Sequence, residues 1–139
     1  MKGRKDEKMN YESKKYKDIG ERVISKLFPH LLNEKIAWLA SDKEKKVNGK
    51  IRFAEAGKVS AQYDWCCDYD FTITVFEPNV EYMTDKQIEI LLEHELRHIG
   101  VEDGHKSILP HDAEEFTEII RKYGIDWSLP NADIRETAE

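Results

Sequence analysis

The chain has 139 residues, 40% of them hydrophobic and 36% charged, which predicts one soluble domain with a single modest core. Its longest apolar run, residues 36–40, is far too short to span a bilayer, so we expect no membrane protein. Within a net charge of −6, residues 1–17 carry +4 and the other residues carry −10. An acidic body of this kind binds nucleic acid poorly, and only the basic N-terminal arm could contact such a partner.

The N-terminal sequence and the two cysteines predict the cellular location of the protein. No apolar run follows the basic N-terminus, so we expect no secretory signal. Cys66 and Cys67 are adjacent, and sequence neighbours rarely reach disulfide geometry, which favours a reducing, cytoplasmic location. We predict a disordered basic arm at residues 1–15, a folded domain at residues 16–127 and a loose tail at residues 128–139.

Helical spacing of apolar residues begins near Tyr16. The positions at this spacing are Ile19, Val23, Ile24, Leu27 and Phe28. Pro29 interrupts the pattern, and it suits the first turn of a new helix better than the middle of an old one. Residues 31–39 continue at helical spacing, so we expect two N-terminal helices. A charged connection over residues 42–50 then ends in an Asn-Gly turn.

Residues 50–76 have the pattern of a short antiparallel or mixed sheet. Segment 50–56 alternates, and Gly57 is expected to separate it from a second strand over residues 58–63. The strongest strand is predicted at residues 69–76, and Pro78 ends it. On one side of that strand the sequence places Phe71, Ile73 and Val75.

The next predicted helix begins at Thr84, which has the capping-box spacing with Gln87. We expect it to end at Gly100, a natural left-handed terminator, and to be followed by a loop over residues 101–110. A last helix is predicted over residues 112–123. Its buried stripe would be Phe116, Ile119, Ile120 and Tyr123, with Trp127 folded back onto the core. The fold class predicted from these elements is α+β.

The motif that carries chemistry is His94-Glu95-Leu96-Arg97-His98, an H-E-x-x-H sequence expected about 0.02 times by chance in a chain of this composition. Histidines four residues apart project from one face of a helix, so both imidazoles can reach one ion. Glu95 points beside that ion, where its carboxylate can accept a proton from water. The sequence therefore predicts a Zn²⁺ site with His94 and His98 as ligands and Glu95 as the catalytic base.

A catalytic zinc site needs a third protein ligand and one open position. The downstream candidates are Glu102, Asp103, His105, His111, Asp112, Glu114 and Glu115. We favour His111, because imidazole is a preferred zinc ligand and this residue can face back from the start of the last helix. His105 is the main rival, and it could instead stabilise an oxyanion. Asp112 could accept a hydrogen bond from a ligand imidazole or simply favour the helix N-terminus.

Other polar and aromatic residues are given structural interpretations. Glu93 and Arg97 are expected to be solvated or paired surface charges, and His30 an ordinary surface or core-edge histidine. Cys66 and Cys67, with no second cysteine pair, make a poor zinc site. The three tryptophans, Trp38, Trp65 and Trp127, are expected to anchor the core or its edge.

Several strings together resemble a known family. H-E-x-x-H on a helix is the zincin signature of zinc metallopeptidases. The strings IAWL with SD, YDF with EPN, then LLEHELRHIG, PHDAEEF and KYGIDW resemble the putative phage metallopeptidase family, found in phages and prophages, over about residues 19–127. The chain is also similar to the SprT-type peptidases, whose third ligand is a histidine a few residues before a phenylalanine. His111 and Phe116 match that pattern with a spacing one residue longer.

This resemblance implies a small zincin-like fold, with His94, His98 and His111 on zinc and Glu95 as the base. It also implies a phage- or prophage-encoded protein in the cytoplasm of a bacterial host. It implies no particular substrate and no oligomeric state.

We therefore hypothesise a zinc-dependent endopeptidase that acts on protein or peptide substrates. The strand Phe71–Phe76 would form the edge of the cleft, where an extended substrate adds as a further strand. The candidates for a second donor to the carbonyl oxygen are Tyr63, Tyr69 and His105. The alternative hypothesis is a catalytically weak zinc-binding regulatory or interaction module, whose fourth zinc position His105 or Asp103 would fill. A different hydrolytic activity or a structural zinc site is a third possibility.

Overall fold

The computed structural model of the chain describes residues 10–63, 65–110, 117–123, 127–130 and 134. The helices are α1 (Lys14–Leu27), α2 (Asp85–Arg97) and α3 (Thr117–Tyr123). The strands are β1 (Asn10–Glu12), β2 (Ile36–Ser41), β3 (Lys46–Val47), β4 (Lys50–Ile51), β5 (Ala54–Lys58), β6 (Phe71–Phe76), β7 (Ile99–Glu102) and β8 (His105–Ile108). Three single turns of 3₁₀ helix lie at Pro29–Leu31, Ala61–Tyr63 and Glu77–Asn79. This mixture of helices and sheets confirms the predicted α+β class.

The main sheet has four strands in the order β1-β2-β6-β5, and it is mixed. β2 and β6 are parallel, from Ile36 opposite Phe71 to Ser41 opposite Phe76, while β1 and β5 pair antiparallel with their neighbours. β6 is confirmed as a strand, and its side chains Phe71, Ile73 and Val75 are completely buried. Because β6 has a neighbour on each side, the prediction that it forms the cleft edge is wrong. The edge strand on that side is β5.

Helix α1 is confirmed, and it packs tightly on β2. The Ser13 side chain caps its start by accepting a hydrogen bond from the Tyr16 N–H. Where α1 crosses β2, a Cβ added to Gly20 would lie 2.2 Å from the indole of Trp38. Glycine is therefore required at position 20 by this close approach. α1 also packs on α2, and α2 packs on β5, so both helices cover one face of the sheet.

The second N-terminal helix is a wrong prediction, because residues 36–41 form strand β2. Ala37, Trp38 and Ala40 are all buried, so this strand is covered on both faces. A strand buried on both faces has no alternation of apolar and polar residues, and its apolar run then fits a helical period equally well.

The predicted arm boundary at residue 15 falls inside α1, and Asn10–Glu12 pair with β2 as strand β1. Pairing with a distant strand leaves no local sequence pattern. The other residues of the predicted arm, 1–9, lie outside the described part of the chain.

The described residues beyond 126 are tied to the body of the domain. Trp127 is buried, as predicted. The Gln87 amide donates hydrogen bonds to the carbonyls of Trp127 and Leu129 at 3.0 and 2.9 Å, and the Tyr82 hydroxyl donates to the Ser128 carbonyl. The start of the predicted loose tail is therefore held in place, while residues 131–133 and 135–139 lie outside the described residues.

In the sheet region one prediction is confirmed and two are wrong. The Asn-Gly turn is confirmed, since Asn48 and Gly49 have φ of 54° and 79° and join β3 to β4. Gly57, however, lies inside β5 opposite Thr72 and separates nothing. The expected strand over residues 58–63 is absent from this described segment, which has Lys58 at the end of β5 and a 3₁₀ turn at Ala61–Tyr63.

Helix α2 begins as predicted but ends earlier. The Thr84 hydroxyl accepts from the Gln87 N–H at 3.2 Å, and the Gln87 amide oxygen accepts from the Thr84 N–H at 2.9 Å. The helix ends at Arg97, and Gly100 lies in β7 rather than at a left-handed terminus. The predicted loop is instead the hairpin β7–β8, whose turn residues Asp103 and Gly104 have φ of 53° and 79°.

The last helix is described from Thr117 to Tyr123, where Ile119 and Tyr123 are buried as predicted. The earlier part of that prediction, with His111, Asp112 and Phe116, lies outside the described residues. Within the described ranges, no helix combines the length and apolarity needed to cross a membrane.

Candidate metal centre

His94, Glu95 and His98 lie together at the C-terminal end of α2. One nitrogen or oxygen from each side chain lies within 4.8 Å of those of the other two. The two imidazole rings are 5.2 Å apart, with an angle of 63° between their planes. Among the residues that the structure describes, this is the one group of three side chains placed to hold a metal ion.

The helix itself produces this clustering. His94 and His98 are one turn apart, so their side chains project from neighbouring positions on one face. Leu92 and Leu96, which precede and follow His94 by two residues, are fully buried and fix the rotation of α2 against the core. The structure thus brings the two histidines and Glu95 together, as the spacing of the motif predicts.

The backbone of Leu109 holds His98 in one orientation. The Leu109 carbonyl lies 2.5 Å from His98 Nδ1, and the Leu109 N–H donates to the His98 carbonyl. Because a carbonyl oxygen only accepts, this contact places the ring proton on Nδ1. The ring then presents the lone pair of Nε2, and outer hydrogen bonds of this kind are usual for imidazoles that bind metals.

Glu95 is buried beside the histidines. Its carboxylate is 5% exposed, and Oε2 lies 3.9 Å from His94 Nε2. Two imidazoles with a nearby carboxylate form a donor set that suits Zn²⁺, which binds imidazole nitrogen at about 2.0–2.1 Å and also accepts carboxylate oxygen. The arrangement can thus hold a divalent ion and keep a carboxylate within reach of it.

Glu93, the residue before the motif, is not at the surface as expected. It is 1% exposed, and its carboxylate accepts hydrogen bonds from Arg97 at 2.6 Å, Tyr123 at 2.6 Å and Lys122 at 3.3 Å. The prediction of a paired charge is right, and the prediction of a surface position is wrong for Glu93. The Arg97 guanidinium also lies over the ring of Phe28.

The hairpin β7–β8 carries His105, the rival ligand. His105 is exposed on β8 and is not part of the three-residue cluster. The next residue, Lys106, forms ion pairs with Asp70 at 2.7 Å and Glu34 at 3.5 Å. The hydrogen bond to Asp70 raises the pKa of Lys106 above its ordinary value. These pairs tie the hairpin to the body of the domain.

The tyrosines considered as oxyanion donors are exposed and lie apart from the cluster. The Tyr69 hydroxyl donates to Glu12 Oε2 at 3.3 Å, and the negative charge of Glu12 raises the pKa of Tyr69. Glu12 belongs to β1, at the opposite edge of the sheet from β5. Tyr63 lies in the 3₁₀ turn after β5.

Of the remaining predicted residues, His111 and Asp112 lie outside the described part of the chain. His30 is exposed, as expected. Cys66 and Cys67 are free thiols. Trp38 and Trp127 are buried as core anchors, but Trp65 is 85% exposed, which contradicts the prediction for that residue.

Two contributors to the site were missed by sequence reasoning. Leu109 acts through its backbone, so no side-chain pattern identifies it. Glu93 has a signal, because an acid four residues before Arg97 on a helix marks an ion pair, and its position among Ile90, Leu92 and Leu96 marks a buried one.

Comparison with known proteins gives one match. The family described as "Putative phage metallopeptidase" matches residues 8–137, which includes all three residues of the metal-binding group. Searches of curated proteins and of solved structures found no match.

Proposed function

The chain belongs to the putative phage metallopeptidase family, and on this premise we propose that it is a zinc-dependent endopeptidase that uses Glu95 as its general base. Membership of this family suggests a peptidase, implies a bound metal and implies protein or peptide substrates. The identity of the ion, the ligand set and the role of Glu95 are the further content of the proposal.

The observation that carries the proposal is the cluster of His94, Glu95 and His98. Two imidazoles and a carboxylate lie within 4.8 Å of one another in a largely buried position. Donor atoms from three side chains that converge in this way are typical of a site that holds a divalent cation. This donor set favours Zn²⁺ over the hard ions Mg²⁺ and Ca²⁺, which prefer oxygen ligands.

We propose His111 as the third ligand, and the position of Leu109 supports it. The Leu109 carbonyl touches the His98 ring, and His111 follows only two residues later. Because two residues of extended chain span at most about 7 Å, we propose that the imidazole of His111 reaches the same ion. Asp112 would then accept a hydrogen bond from one of the ligand rings.

The chemistry divides between the ion and Glu95. A zinc ion held by His94, His98 and His111 would supply Lewis acidity and lower the pKa of water near it. Glu95 would accept the proton of the attacking water and deliver it to the amine that leaves. The buried position of its carboxylate, 3.9 Å from His94 Nε2, supports this role.

The substrate is proposed to lie along β5. This strand is the edge of the main sheet, and it packs against α2. An unpaired strand edge is a template for an extended peptide, which adds by backbone hydrogen bonds. We therefore propose β5, rather than the β6 predicted from the sequence, as the strand that binds the substrate.

His105 remains the candidate for a second donor to the carbonyl oxygen. It lies on β8, which packs near β5, and with Lys58 and Asp70 it lines a groove of about 320 Å³. Tyr69 is a weaker candidate, because its hydroxyl is committed to Glu12 on the far edge of the sheet. The free thiols of Cys66 and Cys67 fit the proposed cytoplasmic location in a bacterial host.

The alternative, a zinc-binding module without activity, requires His105 or Asp103 to fill the fourth position on the ion. Neither residue belongs to the group of three in the described part of the chain. We therefore prefer the peptidase.

The test combines zinc analysis with cleavage of a quenched fluorescent peptide mixture. We expect one zinc per wild-type chain, loss of zinc in His94→Ala, and no change in the control His30→Ala, whose histidine is exposed elsewhere. Glu95→Gln should retain zinc while its turnover falls by roughly 10²–10⁴-fold, the usual contribution of a general base. Zinc retained by His94→Ala, or normal turnover in Glu95→Gln, would refute the proposal.

A further inference from the structure

We propose that Gly100 is a positioning residue for the metal centre. Its lack of a side chain lets Leu109 lie close to β7, and Leu109 in turn holds His98 in the orientation that presents Nε2 to an ion. The inference rests on the proposed function in one respect, because it takes His98 as a metal ligand. Gly100 itself touches neither metal nor substrate in this account.

The first step is that the backbone conformation does not require glycine at position 100. The described glycines with positive φ are Gly49 and Gly104, which lie in the two hairpin turns, and Gly100 is not one of them. It lies within β7, opposite Ser107. Since any residue adopts the conformation of a strand, a glycine inside a strand often marks the close approach of another part of the chain. The reason for a glycine here is therefore space.

The second step is what occupies that space. A Cβ added to Gly100 would lie 2.9 Å from Leu109 Cδ2, 3.0 Å from Leu109 Cγ and 2.9 Å from Ser107 Oγ. Non-bonded carbon atoms pack best at about 3.5–4.0 Å, so an alanine at this position would displace both neighbours. Ser107 is the direct cross-strand neighbour of Gly100, and Leu109 is the diagonal neighbour, two residues further along the chain.

The third step links Leu109 to the metal centre. β7 and β8 pair from Ile99 opposite Ile108, and the Leu109 N–H continues this pairing by donating to the His98 carbonyl. The Leu109 carbonyl lies 2.5 Å from His98 Nδ1. Leu109 thus contacts Gly100 through its side chain and His98 through its backbone. Displacing the side chain should move the carbonyl and release the ring of His98.

The first experiment determines which ring nitrogen of His98 carries the proton in the metal-free protein, by nitrogen NMR of the neutral imidazole. It compares wild type, Gly100→Ala and the control Gly57→Ala. Gly57 also lies inside a strand, where an added Cβ would lie 3.0 Å from Thr72 Oγ1. We expect the proton on Nδ1 in wild type and in the control, and a mixture of the two tautomers in Gly100→Ala.

The second experiment measures zinc dissociation constants by competition with a chromophoric chelator. Gly100→Ala should weaken zinc binding by roughly 10–100-fold, the usual cost of losing an outer hydrogen bond to a metal-binding imidazole. Gly57→Ala should bind zinc like the wild type. An unchanged tautomer or an unchanged affinity in Gly100→Ala would overturn the inference, and so would equal losses of affinity in the two glycine variants.

Double variants identify the neighbour through which Gly100 acts. Leu109→Ala removes the contact with Leu109, so adding Gly100→Ala to it should cause little further loss of zinc affinity. Ser107→Ala removes the other close atom, and in that background Gly100→Ala should still have its full effect. A full effect of Gly100→Ala in the Leu109→Ala background would overturn the inference. Should Gly100→Ala fail to fold, Leu109→Ala replaces it, and an unchanged His98 tautomer in that variant would overturn the inference equally.

The outcomes also distinguish this inference from the proposed function. If the wild type binds no zinc, the proposed function is wrong, while the tautomer of His98 in the metal-free protein still tests the role of Gly100. If the wild type binds zinc and Gly100→Ala binds it equally well, only the positioning role of Gly100 is wrong.

Discussion

Helix α2 carries a buried glutamate on each of two faces near its C-terminal end, and the two carboxylates have different neighbours. Glu93, on the anchor face with Arg97, and Glu95, on the metal face with His94 and His98, are 1% and 4% exposed. Glu93 accepts hydrogen bonds from an arginine, a lysine and a tyrosine hydroxyl, and Glu95 Oε2 lies 3.9 Å from His94 Nε2. Two glutamates of nearly equal burial on one helix thus have different neighbours, one set on α2 and α3 and the other in the metal-binding group.

The contrast has a physical reason. A carboxylate held by charged donors keeps its negative charge and its position, which makes it a good anchor and a poor proton carrier. A catalytic base must instead exchange protons during each turnover. In the proposed function, Glu93 on the anchor face would hold α3 while Glu95 on the metal face would transfer the proton.

The largest effect should separate the two faces in the metal-free protein. Glu93→Ala leaves Arg97 and Lys122 without their buried counter-charge, so we expect the free energy of unfolding to fall by about 3–5 kcal/mol. For Glu95→Ala, on the metal face, we expect a smaller loss of the free energy of unfolding. Urea denaturation of the two metal-free variants measures this difference. Equal losses in the free energy of unfolding would show that the two faces contribute equally to stability and would contradict the prediction.

A smaller effect is expected from the exposed attachment of the hairpin. Lys106 is about one-third exposed, so Lys106→Met should destabilise the protein by only about 0.5 kcal/mol at neutral pH. The hydrogen bond to Asp70 raises the pKa of Lys106 above its ordinary 10.5. Since the folded state holds this proton more tightly, the stabilisation is present below that value and is lost as pH rises through the folded-state pKa.

Urea denaturation at pH 7 and at pH 11 tests this sign. The difference in free energy of unfolding between wild type and Lys106→Met should be smaller at pH 11 than at pH 7. The control is Lys46→Met at an exposed position in β3, for which we expect little difference from wild type at either pH. Two results would contradict this prediction. One is a loss of stability in Lys106→Met as large as that in Glu93→Ala, and the other is a difference from wild type that is larger at pH 11 than at pH 7.

The parts of the site that could be predicted are those marked by residues close together in the sequence. Thr84 and Gln87 mark the start of α2 within four residues, and the spacing of His94 and His98 fixes their common face. The hairpin β7–β8 also has a local signal, the Asp103-Gly104 turn pair, which is of the same kind as the Asn48-Gly49 pair that is correctly predicted as a turn.

The rest depended on contacts that no local pattern records. β2 is buried on both faces, so its sequence lacks the alternation of a half-exposed strand. β1 becomes a strand only because β2 is there to pair with it. The edge position of β5 likewise follows from strand order, which the sequence of one strand does not contain.

In the proposed function three imidazoles bind zinc, and Glu95 lies beside the ion as a base. Zinc K-edge X-ray absorption of the zinc-loaded protein counts the imidazole ligands. We expect three imidazoles in the wild type, two in His111→Ala, and an unchanged set of ligands in Glu95→Gln. Two or fewer imidazoles in the wild type, or loss of an oxygen ligand in Glu95→Gln, would contradict it.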